Sequence, residues 1–111
     1  MVLTGDIHTA WANDLKADYA KPGSPVIGAE LVCTSITSRG DGSAATAVPT
    51  GTVNPHLKFY SDRRGYTRAT ITPGQFTADF RGVDAVSVRD APVRTVGSFA
   101  IVDGRPGLQK L

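Results

Sequence analysis

Cysteine is almost missing from this chain of 111 residues: Cys33 is the single one. No disulfide can form within the chain, and no cysteine-based zinc site can form without other chains. Cys33 lies in the apolar run 29–34, where a buried, inert thiol is expected. Long hydrophobic runs are lacking too, since nothing approaches the roughly 20 apolar residues of a membrane span. The first residues have neither the basic nor the apolar region of a signal peptide. Charge of one sign is nowhere concentrated: 12 Lys and Arg face 10 Asp and Glu, for a net charge of +2. Without a basic block or an acidic tail, bulk electrostatics make no case for nucleic acid or a membrane surface as partner. There are no internal repeats.

What is present suits a folded domain or part of one. Hydrophobic residues make up 41% and charged residues 20%, which argues against disorder. Met1-Val2-Leu3 is an apolar run of β type that leads into Thr4-Gly5-Asp6-Ile7-His8. Such a strand normally lies inside a sheet covered on both faces, so the chain is expected to begin in the middle of a larger fold. Residues 9–19 read as a short helix capped by Thr9, with Ala10, Leu15 and Ala17 as formers, or as an irregular connection. Lys21-Pro22-Gly23-Ser24-Pro25 is a break, and 26–36 is a strand rich in β-branched residues. Residues 39–52 lack periodicity and read as a loop. From 56 to 104 the pattern is an antiparallel meander, with strands at 57–60, 66–72, 75–86 and 95–103, ending at Gly104. The alternation of Phe76, Ala78 and Phe80 with polar partners predicts a sheet with one buried face. Short turns make consecutive strands neighbours.

The residue pair with the clearest chemistry is Asp6 and His8. Two positions apart at a strand end, their side chains are expected to leave the same face and to aim an oxygen and a nitrogen at a metal. Gly5 lets the backbone pass close to such a site. The competing reading is a strand-terminal Asp that caps the next turn and a His bonded to a nearby carbonyl. Asn13 and Asp14 are candidates to line or orient the site, or else turn and cap residues. His56 reads as a structural histidine. Arg63 and Arg64 suit bidentate phosphate binding or a solvated hairpin turn, and Trp11 suits a pocket wall or a core anchor.

Val2-Leu3-Thr4-Gly5-Asp6-Ile7-His8 with Trp11-Ala12-Asn13-Asp14-Leu15 resembles the last active-site segment of the alkaline phosphatase D (PhoD-like) family. The resemblance continues through Thr34-Ser35-Ile36, Asn54-Pro55-His56-Leu57-Lys58-Phe59 and Asp62-Arg63-Arg64-Gly65-Tyr66. It closes on Ala91-Pro92-Val93-Arg94-Thr95 and Asp103-Gly104-Arg105-Pro106-Gly107-Leu108-Gln109, so it spans nearly the whole chain.

The resemblance implies a metal-dependent phosphatase or phosphodiesterase of the calcineurin-like class. Its fold is α+β, a two-sheet αββα sandwich of which this chain is the β-rich, C-terminal antiparallel-sheet portion. Within 1–111 it implies a metal-site strand at 1–8, a connecting segment at 9–55 and the meander at 56–104. Where the class closes its site with Gly-His-x-His, Asp6 stands in place of the first His. Asp6 is therefore the implied metal ligand, and His8 a ligand or a donor to substrate phosphate or to a ligating carboxylate. Iron together with calcium are the implied cofactors, phosphate esters the substrates, and the extracellular space or periplasm the compartment. The other acidic ligands, the Asn and the phosphate-binding Arg of the family precede this segment, so the chain alone is expected to be inactive. A sheet cut from its partner leaves a face and an edge open to self-association. The alternative is a non-catalytic β-rich binding module derived from that family.

Overall fold

A computed structural model describes residues 1–44, 48 and 54–111. Among these the secondary structure is all strand. In chain order the elements are β1 (Val2–Thr4), β2 (Ala10–Lys16), β3 (Val26–Val32), β4 (Leu57–Ser61), β5 (Gly65–Ile71), β6 (Gln75–Val83), β7 (Val93–Val102) and β8 (Arg105–Lys110). They form two four-stranded sheets, ordered β1-β3-β2-β4 and β5-β6-β7-β8. Part of the expected loop at 39–52 lies outside the described residues.

The expected helix at 9–19 is instead β2, a central strand paired antiparallel with both β3 and β4. Ala and Leu are good helix formers, but propensity is a weak prior, and pairing on both sides overrides it. Ala10, Ala12 and Asp14 alternate inward, while Trp11 and Asn13 alternate to the other face. The helices of an α+β fold have no counterpart among the described residues. The strand expected at 26–36 ends at Val32, and the one expected at 75–86 ends at Val83.

The meander is also shorter at its start than expected. β4 and β5 do not pair with each other: β4 lies against β2, and β5 opens the second sheet. Residues 62–64 therefore cross between sheets rather than turning a hairpin. Gly65 makes the crossing feasible. Its N–H donates to the Ser35 carbonyl at 2.9 Å, and a Cβ there would sit 1.9 Å from the Arg81 carbonyl oxygen. At the far end, Gly104 (φ 70°) turns the chain into β8, a strand that the sequence pattern did not reveal.

The two sheets meet through a small aromatic core. Ala10, Ala12, Leu31 and Phe59 from the first sheet pack against Phe76, Ala78, Phe80 and Phe99 from the second. Phe59 lies 4.9 Å from Phe80 and 5.6 Å from Phe99, centroid to centroid, within the range of favourable aromatic pairs. Gly97 leaves room for it, since a Cβ there would come within 2.7 Å of the Phe59 ring. Asp14 adds a polar tie between sheets. Its Oδ1 accepts the Leu108 N–H of β8 at 2.9 Å, and its Oδ2 lies 3.5 Å from Lys58 Nζ.

The outer face of the second sheet carries a charged ladder. Asp79 accepts from Ser98 at 2.7 Å and from Arg68 at 2.6 Å, and these two bonds, Ser98 first, hold its carboxyl below the usual range. Asp84 is lowered chiefly by Arg94, and Asp41 chiefly by the Ser87 hydroxyl. A carboxylate whose folded pKa lies below its unfolded value stabilises the fold above the unfolded value, about 3.9. That contribution is lost as pH falls through the folded value. With respect to these groups the melting temperature should be level above about pH 5 and should decline below about pH 4. The decline should be modest, because the groups are solvent-screened. Asp79→Asn should flatten part of it in a thermal melt series, whereas an unaltered acid limb would remove Asp79 from this account.

Candidate functional site

β1 and β3 run parallel, with Thr4 opposite Val32; on the other side of β3, Trp11 of β2 is also opposite Val32. Residues 5–9 must therefore arch over the end of β3 to join strands about 9.5 Å apart, two strand spacings. The arch begins where the Cys33 N–H donates to the Thr4 carbonyl at 2.8 Å. Gly5 sits against this crossing point, and a Cβ there would lie 3.5 Å from the Cys33 carbonyl oxygen.

Asp6 and His8 occupy the arch, not the strand. β1 ends at Thr4, so strand alternation does not set their directions. Both have left-handed backbone, φ 80° for Asp6 and 62° for His8. Asp and His tolerate this region better than most residues, yet each such position costs about 1–2 kcal/mol. The tight arch over β3 imposes it. Both residues are exposed, and neither side chain has a hydrogen bond or ion pair among the described residues. A carboxylate and an imidazole are thus free to take a ligand.

The arch is held from below by Arg64, which crosses from the 62–64 segment. Its Nη1 donates to the His8 carbonyl at 2.7 Å and to the Asp62 carbonyl at 2.8 Å. Nε donates to the Ser38 carbonyl at 3.1 Å, and Nη2 to the Arg39 carbonyl at 2.8 Å. Arg63 faces elsewhere, donating to the Ser43 and Val83 carbonyls and pairing with Asp84 at 2.8 Å. Neither arginine is a solvated hairpin residue, and Arg64 is engaged with backbone rather than offered to phosphate. Sequence reading saw the basic pair but not this division of labour, since the carbonyls that Arg64 binds are distant in the chain.

The other candidates lie apart from the arch. Asn13 donates from Nδ2 to Glu30 at 2.9 Å, and its Oδ1 is buried without a partner. Asp14 is committed to Leu108 and Lys58, as above, and lines a cavity of about 170 Å³ with His56, Lys16 and Val26. Neither is bonded to Asp6 or His8. His56 is half-buried against Tyr19, ring centroids 4.9 Å apart. Trp11 donates to Thr9 Oγ1 at 2.7 Å and packs edge-on to Tyr60. Cys33 is partly exposed rather than buried, its thiol 3.4 Å from the Thr34 carbonyl. Beside it, Thr34 Oγ1 and Ser35 Oγ are buried without partners; sequence reading gave these hydroxyls no role, and nothing in their pattern marks them.

As a metal site the arch is partial. Asp6 and His8 offer the right donor atoms, but the described residues contain no group of three or more His, Cys, Asp or Glu that could hold an ion. Catalytic metals generally use at least three protein ligands. The donor set fits one corner of a site and does not fit a whole one.

The two-sheet architecture recurs within a larger solved structure. The solved structure of PhoD superposes on 99% of this chain with a TM-score of 0.88 and 42% identity, the chain covering 22% of that structure. Alkaline phosphatase D of Bacillus subtilis (strain 168) is 42% identical over 113 aligned residues, which take in all of this chain and 19% of the relative. The model of the PhoD-like phosphatase family matches residues 1–80. The chain belongs to the PhoD-like phosphatase family, and it spans about a fifth of the length of these two relatives.

Proposed function

We propose that this chain supplies one corner of the active site of a metal-dependent phosphatase acting on phosphate esters, with Asp6 as a metal ligand. His8 stands beside it as a second ligand or as a donor to the substrate phosphate. The observation that carries this reading is the arch itself: two free donor side chains, each held in left-handed backbone, at an open sheet end. Strained backbone of this kind concentrates at functional sites, where the surroundings over-determine it.

The remaining ligands would come from residues outside this chain. Metal ions, when held, polarise phosphoryl oxygens and generate a nucleophile from water. Iron with calcium is the pair we assign on the family resemblance, and carboxylate oxygen suits hard cations of that kind. The contribution of this chain is to fix a carboxylate and an imidazole in position and to balance the positive charge. Asn13 and Asp14 support the site only indirectly, through the strand they anchor. We place the whole enzyme in the extracellular space or periplasm, in keeping with the family resemblance.

The test is a chimera in which this chain replaces the matching segment of the Bacillus subtilis relative. On p-nitrophenyl phosphate with iron and calcium supplied, the chimera should turn over. Asp6→Asn should reduce turnover by about 100-fold or more, since even residues behind a ligand cost 10–100-fold. The 111-residue chain by itself should show no appreciable turnover. Full activity in the Asp6→Asn chimera would sink the ligand assignment.

One observation favours a second reading. β1 is the edge strand of the first sheet as this chain forms it, and Leu3 and Ile7 are 58% and 61% exposed. An apolar edge of this kind suits self-association or an interaction module. A chimera that folds yet neither binds metal nor turns over would leave that reading in place.

A further inference from the structure

Arg64 is the feature that the proposed reaction does not yet use. Its guanidinium lies between three segments distant in sequence: the arch at 5–9, the stretch 38–39 after β3, and the crossing at 62–64. Every partner is a backbone carbonyl, and no carboxylate lies within ion-pairing distance among the described residues. Among the described residues its hydrogen-bond partners are carbonyls rather than an acid.

The shape of the group matters. A guanidinium presents five N–H donors in a rigid plane, and Arg64 uses all three nitrogens, in directions fixed by that plane. The local backbone is shaped around it: Gly40 has φ 102°, and a Cβ there would lie 3.1 Å from Arg64 Nη2. The next residue, Gly65, bonds Ser35, so the 62–65 crossing is fastened to the 35–39 stretch at two levels. The bond to the His8 carbonyl is the one hydrogen bond described between this framework and the arch. A charge-assisted donor on that carbonyl offsets the cost of left-handed backbone at His8.

We propose that Arg64 is the positioning residue of the Asp6–His8 corner. It locks the arch over β3 through the His8 carbonyl, so that the carboxylate and imidazole are presented in one geometry before any ligand arrives. The role rests on the reading of Asp6 and His8 given above, but it makes a claim about the arch that can be checked without metal. Arg63 is the built-in control. It sits one residue away, makes a comparable set of bonds and ties the same crossing to β6, yet touches nothing in the arch.

The experiment measures backbone ¹⁵N order parameters of the 111-residue chain and three variants, Arg64→Ala, Arg64→Lys and Arg63→Ala. In the unaltered chain the amides of Ile7, His8 and Thr9 should show values near 0.85, the range of rigid backbone. In Arg64→Ala they should fall below about 0.6 while β6 and β7 stay rigid. Arg64→Lys should loosen the arch as well, because an ammonium cannot span the four carbonyls. Arg63→Ala should lower the melting temperature and leave the arch rigid.

An arch that stays rigid in both Arg64 variants, or that loosens equally in Arg63→Ala, overturns the proposal. Should Arg64→Ala fail to fold alone, the same substitutions in the chimera read the effect as metal retained after dialysis against a chelator. A loss of about 10-fold in retention is expected for Arg64→Ala and none for Arg63→Ala. Loss of metal in Asp6→Asn with none in Arg64→Ala would remove the positioning role and leave the ligand assignment standing. A loosened arch in Arg64→Ala with no effect of Asp6→Asn on metal would do the reverse.

Discussion

Phe80→Ala should reduce the unfolding free energy by about 3–5 kcal/mol, the range for deleting a buried phenylalanine from a packed core. Phe80 is 1% exposed, the largest fully buried side chain among the described residues, and packs against the rings of both Phe59 and Phe99. Its removal leaves Phe59 and Phe99 facing a void between the sheets, with no neighbouring strand able to close it without losing register. For a chain of this size, total stability of about 5–15 kcal/mol is typical, so the variant should be at the edge of folding. Urea denaturation should show a lower midpoint at unchanged slope. Phe80→Leu, which keeps most of the volume, should cost about 1.5 kcal/mol or less. Equal losses in the two variants would show that the cavity is not the cause.

Gly65→Ala should be as damaging for an unrelated reason. The added methyl carbon would lie 1.9 Å from the Arg81 carbonyl oxygen, with Gly82 Cα at 3.1 Å. These are backbone atoms and cannot turn aside as a side chain would. Either β5 parts from β6 at the start of its ladder, where Gly65 faces Gly82, or the crossing from β4 moves and its bond to Ser35 breaks. We expect a loss of about 4 kcal/mol or more, at the extreme end of single substitutions. The damage should start at the sheet junction: amide exchange should accelerate first at Gly65, Tyr66 and Val83, before the middle of β6. A near-neutral Gly65→Ala would mean that the junction is looser than its geometry requires.

The β-rich character of the chain and most of its second sheet were legible in the sequence because alternation is a local signal. Phe76, Ala78 and Phe80 report a buried face without help from any other strand. β2 was not legible. Ala10-Trp11-Ala12-Asn13-Asp14-Leu15-Lys16 carries no β-branched residue, and it is a strand because β3 and β4 pair with it on both sides. β8 was hidden because the last expected strand ends at Gly104 and Pro106 and Gly107 follow it, poor strand formers in a segment where Arg105, Gln109 and Lys110 nevertheless pair with β7. The separation of β4 from β5 was invisible for a similar reason, since a short polar crossing between sheets looks like a hairpin turn. At the candidate site, Asp6 and His8 were found from residue type and family resemblance, while the arch that sets their geometry was not. Strand alternation had them on one face; the backbone has left the strand by then.

The arch over β3 also orders events in time. β1 and β2 are consecutive in the chain but cannot meet as a hairpin, because β3 must lie between them. The Asp6–His8 corner therefore has no local precursor. It exists only after residues around 30 have entered between the first two strands and Arg64 has arrived from the far side of the crossing. Contacts closed over such separations form late, because loop entropy must be overcome before they are rewarded. Substitutions in the arch and at Arg64 should thus change how fast the chain unfolds far more than how fast it folds, while Phe80, on β6 and joined to β5 by a short turn, belongs to the part that assembles first.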